Sequence, residues 1–361
     1  MSPQTQVRLD VVDAAVHPIV RRSDELREYM EEPWRSRVFP PPHRYLYPAP
    51  TGIPPYGEYR EDSRSGGGLP GSDPDLLAAH LAACGADAAI LLPLTRGLLP
   101  DTEMNTVICA ATNDWLAATW LGEWNAGGRY FGSIRVNPED AGGAVREIER
   151  WAQHPRMIQI AIPLESHQPY GQRQYFKVWE AAARHRLPVA IHTDGGAGVD
   201  FKPTAIGYPL HYIEYSVMYP LNFIYHLASL IAEGVFGRLP DVKFVFADGG
   251  HDLLMPLMWR MDMDWLYSRS ETPWVTQMPS KYLRTHVRFC TSRFEIPGDP
   301  ATVAEWTDMT DATELLLFAT NYPHWSTMSP SDLLHGPTSD AGRRVLGGNA
   351  NAWYNLDRAS T

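Results

Sequence analysis

Short runs of apolar and β-branched residues recur along the chain, each followed by a longer segment whose apolar residues fall at helical spacing. Eight runs read as strands: 7–16, 86–94, 130–136, 157–162, 188–192, 243–248, 287–291 and 315–320. Each is apolar nearly throughout, the pattern of strands covered by protein on both faces rather than half-exposed. The intervening segments 73–84, 103–121, 138–153, 172–186, 216–233, 252–269, 300–308 and 339–346 read as helices. Several open on a cap followed by proline, as in Asp73-Pro74, Asn137-Pro138 and Asp299-Pro300. There a side-chain oxygen satisfies the first free amides, and proline's fixed φ suits the first turn. Eight strand-then-helix units predict one α/β domain over 1–361, a (β/α)8 TIM barrel. A doubly wound open sheet is the alternative topology.

One stretch breaks the pattern. Residues 21–71 are rich in proline, tyrosine and arginine and carry the run Ser65-Gly66-Gly67-Gly68. Because this insertion follows strand 1, it is expected over the end of the barrel where active sites form. It reads either as a lid contributing Arg35, Arg37, His43 and Tyr45 or as a subunit contact.

Composition narrows the function. The formal net charge of −11 argues against nucleic-acid binding, which needs clustered cationic residues to displace counterions. No apolar run is long enough to span a membrane, and the amino-terminal segment lacks the basic and apolar regions of a secretion signal. The three cysteines, Cys84, Cys109 and Cys290, are far apart and odd in number, so they read as reduced thiols and the protein as cytoplasmic.

In a barrel, side chains at the carboxyl ends of the strands share one mouth. Four strand ends are unusually polar: Asp13-Ala14-Ala15-Val16-His17, Ile191-His192-Thr193-Asp194-Gly195-Gly196, Ala247-Asp248-Gly249-Gly250-His251 and Thr320-Asn321-Tyr322-Pro323-His324-Trp325. Strand alternation places Asp13, Ala15 and His17 on one side. Taken singly, each polar residue has an ordinary role: Asp13 bonding backbone amides, His192 a satisfied core residue, Asp248 a helix cap. Two histidines and two acids at one end of one barrel instead point to acid–base chemistry. His251, His324, Trp325 and Asp13 are the expected substrate-binding residues. The stripe Met255, Met258, Met261, Met263, with Trp259 and Trp265, reads as core packing.

These strand ends, together with 241–262, 279–283, 287–289, 318–325 and 346–350, resemble the amidohydrolase superfamily in the branch typified by aminocarboxymuconate-semialdehyde decarboxylase. The resemblance implies a divalent metal, usually zinc, held by two strand 1 residues, a strand 5 histidine and a strand 8 aspartate. His17 and His192 fall on two of those positions, whereas Ala15 and Asn321 stand at the other two. Asp248 falls where family members carry a proton-handling histidine or glutamate. With two imidazoles and an uncharged amide, the set predicts no metal or a weakly held divalent one, zinc if any.

The expected activity is hydrolysis or decarboxylation of a small carboxylated or aromatic substrate, or in its place metal-independent acid–base chemistry, with Asp248, His192, His17 and Asn321 as catalytic residues. A noncatalytic barrel that binds a ligand or supports a partner is the alternative. A homodimer is the expected assembly.

Overall fold

The computed structural model describes residues 9–22, 24–37, 59–66, 68–95, 97–194, 211, 213–214, 221–292, 299–324, 328–333 and 338–356. Eight strands lie in sequence order in one sheet: β1 (Val12–Val16), β2 (Ala88–Leu91), β3 (Tyr130–Arg135), β4 (Met157–Pro163), β5 (Val189–His192), β6 (Phe244–Phe246), β7 (Val287–Cys290) and β8 (Leu316–Leu317). Every neighbouring pair is parallel. The seam between β8 and β1 is bridged by Ala14 N donating to Phe318 O at 2.8 Å and His17 N donating to Tyr322 O at 2.8 Å. Those two bonds remove the free edges that an open sheet would keep.

The longer helices outside the sheet are α1 (Pro74–Ala83), α2 (Thr102–Ala118), α3 (Ala141–Trp151), α4 (Phe176–His185), α5 (Leu221–Ala232), α6 (His251–Ser268), α7 (Pro279–His286), α8 (Pro300–Met309) and α9 (Asn349–Tyr354). Asp73, Asp101, Asp140 and Asp299 cap α1, α2, α3 and α8 through their carboxylates. Among the described residues no helix is long and apolar enough to cross a membrane.

Two apolar layers hold the fold. Inside the barrel, Val12, Ala14, Ala15, Ile90, Leu92, Phe131, Val245 and Leu317 pack together, and Trp353 and Tyr354 of α9 belong to the same cluster. Outside it, Val16, Leu91, Ile134, Ile160, Phe244 and Phe289 pack against the helices.

The strands are shorter than the apolar runs predict, because amides at their ends find side-chain acceptors. Asp87 Oδ2 takes Asp10 N at 2.8 Å and Val11 N at 3.0 Å, so β1 starts at Val12. Beyond Leu317, Ala319 N donates to Thr291 Oγ1 at 2.9 Å and Thr320 N to Asp13 Oδ1 at 3.0 Å.

The register of β1 shifts within the strand: Asp13 lies opposite Ala89, but Val16 lies opposite Leu91. One extra residue on β1 forms a bulge, which reverses the alternation beyond it. Ala14 and Ala15 therefore both join the interior cluster while Val16 joins the outer one.

The expected α6 core stripe is only half buried. Met255 and Met258 are buried, whereas Trp259, Met263, Leu266 and Tyr267 are exposed.

Candidate functional site at the barrel mouth

β1 delivers His17 just past its bulge, and the chain after β8 delivers Asn321, whose φ of 61° lies in the left-handed region that asparagine tolerates. Both are buried. His17 Nδ1 lies 2.9 Å from Leu92 O, and its Nε2 lies 2.7 Å from Asn321 Oδ1. A carbonyl only accepts, so Nδ1 carries the hydrogen. Burial, reinforced by the neighbouring His192, pushes the His17 pKa down to about 3 and keeps the ring neutral. The bare Nε2 then takes its hydrogen from the Asn321 amide group, which can present either end.

His192 closes β5 and Asp248 follows β6, both buried. The two imidazoles of His17 and His192 lie with ring centroids 4.3 Å apart. His192 Nδ1 is 2.6 Å from Thr193 O, which again assigns the hydrogen to Nδ1. Its Nε2 is buried with no hydrogen-bond partner among the described residues and stands 3.9 Å from Asp248 Oδ2. A basic nitrogen and a carboxylate thus face each other across a short gap, an arrangement suited to holding and passing a proton.

Three of the expected substrate-binding residues are placed as follows. Asp13, expected to share a side with His17, is turned away by the bulge. Its carboxylate takes Thr320 N at 3.0 Å and Thr320 Oγ1 at 2.5 Å, tying β1 to the chain beyond β8. Burial raises its pKa to about 6 against the pull of the Thr320 hydroxyl. His251, at the start of α6, packs on Phe289 and Trp306 and reaches Thr310 O at 3.1 Å, so it stitches the outer layer instead of joining His17 and His192. His324 does approach the site: its ring lies 5.7 Å from that of His17 and 5.1 Å from Tyr59. Tyr59 belongs to the 21–71 insertion and pairs with His324 as an antiparallel bridge. Trp325, His43 and Tyr45 lie outside the described residues.

A second polar cluster at the mouth joins Asp194 to Arg135 and Glu165, two residues that the sequence pattern did not single out. Arg135 ends β3, Glu165 follows β4 and Asp194 follows β5. Arg135 forms a buried ion pair with Asp194 through both terminal nitrogens, and Thr95 Oγ1 donates to Asp194 Oδ2 at 3.2 Å. Both oxygens of Glu165 are buried and have no hydrogen-bond partner among the described residues. Burial, and behind it the charge of Asp194, push the Glu165 carboxyl well above its usual range. The available signal was Arg135 itself, a charge closing the otherwise uncharged run Tyr130-Phe131-Gly132-Ser133-Ile134.

The metal site that the resemblance implies does not match these side chains. Ala15 has no donor atom and sits in the barrel core, His17 Nε2 is engaged by Asn321, and Asn321 bears no charge. Among the described residues no three His, Cys, Asp or Glu side chains gather in a metal-holding group. A three-ligand catalytic zinc centre needs more than this donor set supplies.

The fold has many solved counterparts. A 5-carboxyvanillate decarboxylase, LigW, from Sphingomonas paucimobilis is 20% identical with a TM-score of 0.66, covering 96% of this chain and 99% of that one. A dihydroxybenzoic acid decarboxylase from Polaromonas sp. JS666, with bound manganese and the inhibitor 2-nitroresorcinol, is 18% identical with a TM-score of 0.65, covering 97% and 98%. An amidohydrolase from Mycobacterium avium subsp. paratuberculosis K-10 is 18% identical with a TM-score of 0.70, covering 97% and 98%. Among curated proteins none matches the sequence. The sequence profile described as Amidohydrolase matches residues 12–356, nearly the whole described chain, and the protein belongs to the amidohydrolase family.

Proposed function

We propose that the protein is an enzyme that decarboxylates a small carboxylated aromatic compound at the mouth of the barrel. The observation that carries this reading is the buried Nε2 of His192, unpartnered among the described residues and facing Asp248 at 3.9 Å. A buried polar atom left unbonded costs stability, and a site that retains one has a use for it. The named activities of two solved counterparts, on carboxyvanillate and dihydroxybenzoate, favour decarboxylation over hydrolysis and over a noncatalytic barrel.

In this reading a proton held on the Asp248–His192 pair passes to the ring carbon that bears the carboxylate. The bond from that carbon to the carboxylate breaks, CO2 leaves, and its bonding electrons restore the aromatic ring. Solvent then returns a proton to the pair. His17 stays neutral, and with Asn321 and His324 it shapes the wall against which the substrate rests. No step requires a metal, and any divalent cation is held weakly. Incubation of the purified protein with a panel of hydroxylated benzoates, read by CO2 release and product chromatography, tests the proposal. Release from at least one member supports it, and none from a folded protein across the panel refutes it.

The insertion is proposed to cover the mouth, on the support of the Tyr59–His324 bridge and of Arg60 N donating to Pro323 O at 3.0 Å. Its other described end lies on the outer layer, where Trp115 of α2 donates to buried Glu25 at 3.2 Å and Arg37 pairs with Asp101 at 2.7 Å. Replacing 38–58 by a short linker is expected to abolish turnover while leaving the barrel folded.

A homodimer is proposed on the exposed face of α6. Trp259, Met263 and Leu266 form a stripe there beside the oppositely charged Arg260 and Asp264, which a two-fold axis would set against each other's partners. Met263→Glu should lower the mass measured in solution, and an unchanged mass would locate the contact elsewhere. The compartment is proposed to be the cytoplasm, in keeping with three free thiols.

A further inference from the structure

We propose that Arg135 is a positioning residue that fixes the tautomer and orientation of His192 by gripping Asp194. The link runs through one peptide unit. Its carbonyl, Thr193 O, accepts the His192 Nδ1 hydrogen at 2.6 Å, and its other end is the backbone of Asp194. The Asp194 carboxylate is held by Arg135 Nη1 at 3.4 Å, by Arg135 Nη2, and by Thr95 Oγ1 at 3.2 Å. With that side chain pinned, the peptide plane cannot rotate freely, and Thr193 O stays aimed at the imidazole.

The grip is itself anchored. Asn113 of α2 bonds both backbone groups of Arg135, accepting from its N at 2.6 Å and donating to its O at 2.8 Å. Gly97, at a φ of +76°, lies so close that an added Cβ would stand 3.0 Å from Asp194 Cβ, so the chain after β2 blocks Asp194 from swinging out. Arg135 and Asp194 are both fully enclosed, which excludes a solvent-screened surface pair of negligible consequence.

Because a carbonyl can only accept, Thr193 O selects the ring form with hydrogen on Nδ1 and leaves the lone pair on Nε2. That nitrogen faces Asp248. Without the clamp the peptide is free to turn, the ring loses its fixed acceptor, and the hydrogen distributes over both nitrogens. The catalytic consequence rests on the function proposed above, while the tautomer does not.

The test uses the full chain labelled with 15N-histidine, its His192 signals assigned by loss in His192→Gln, and long-range 1H–15N spectra recorded at alkaline pH. The wild type should show neutral His192 with hydrogen on Nδ1. Arg135→Lys, which keeps a cation beside Asp194, should preserve that pattern, and Arg135→Met should mix the two tautomers. Should Arg135→Met fail to fold, the isosteric Asp194→Asn is read by the same criterion. A wild-type ring with hydrogen on Nε2, or an unchanged ring in the folded uncharged variant, would overturn the proposal. With an active substrate, Arg135→Met and Asp194→Asn should lose kcat with little change in KM, whereas Arg135→Lys should keep it. The spectra need no substrate, so failure of the decarboxylase reading and failure of this one are separately visible.

Discussion

His17 Nε2 and Asn321 Oδ1 stand 2.7 Å apart across the seam between β1 and β8, joining the first strand of the barrel to the chain that follows the last. An amide at this place, with its NH2 end turned to the bare Nε2, satisfies a neutral imidazole without adding charge. A carboxylate there would reverse the electrostatics, favouring a cationic ring or a bound cation.

Asn321→Asp should therefore raise the His17 pKa from about 3, observable by titrating its ring resonances. The same variant should bind divalent zinc or manganese more tightly than the wild type by one or more orders of magnitude in competition with a chelating dye, since a charged oxygen then faces the imidazoles. Adding Ala15→His supplies the remaining donor but places a ring in the packed barrel interior. That overpacking should cost about 1–3 kcal/mol in unfolding free energy. Wild-type protein that purifies with one tightly held metal ion per chain would show the donor set to be wrong.

Stability should fall on mild acidification. Burial lowers His17 to about 3 and His80, His226 and His251 to about 4, each from 6.5. Their stabilising contribution is full above the unfolded value and is lost as pH falls through 6.5 towards the folded values, because the unfolded chain takes up protons that the folded one refuses. Asp13 acts in the opposite sense. Its folded pKa of about 6 exceeds the unfolded 3.8, so its contribution is full below 3.8 and lost as pH rises through 6. His154 and His286 are lowered as well, and Glu165 and Asp194 are raised like Asp13; the histidines outnumber the carboxyls between those limits, and each net proton is worth about 1.4 kcal/mol per pH unit. Urea midpoints should be lower near pH 5 than near pH 7, and the reverse order would contradict the burial argument.

Asp13 should prove structural. Asp13→Ala leaves the buried N–H and O–H of Thr320 without their acceptor and should cost about 2 kcal/mol or more. Asp13→Asn keeps an acceptor for the amide, and the Thr320 hydroxyl can turn its hydrogen to His80 Nε2 at 3.0 Å while accepting from the new NH2, so this change should cost less than about 1 kcal/mol. Denaturant unfolding of the two variants separates them. Full stability in Asp13→Ala would mean that the Thr320 bonds carry no weight.

The barrel was legible because each buried strand is a run of apolar residues and several turns into a helix carry an acid or proline. Strand limits were less so. Asp87, Thr291 and Asp13 capture amides that apolar pattern alone assigns to the sheet, and such captures depend on residues distant in sequence. The bulge after Asp13 leaves no mark in a run of small apolar residues, which is why strict alternation put Asp13 on the face of His17. Arg135 and Asp194 are separated by 58 intervening residues, and their pairing follows only once adjacent strand ends are known. His17, His192, Asp248 and Asn321 were recognisable because polar groups ending apolar strands are conspicuous in any barrel.

The most direct test of the account is the rate of CO2 release from a hydroxylated benzoate by wild-type protein and by Asp248→Asn at matched folding and concentration. Proton delivery by a positioned group is worth about 10²–10⁴-fold, so the variant should lose at least about a hundredfold in kcat while its circular dichroism and melting profile stay close to those of the wild type. Equal rates from the two proteins would contradict the claim that the Asp248–His192 pair carries the proton.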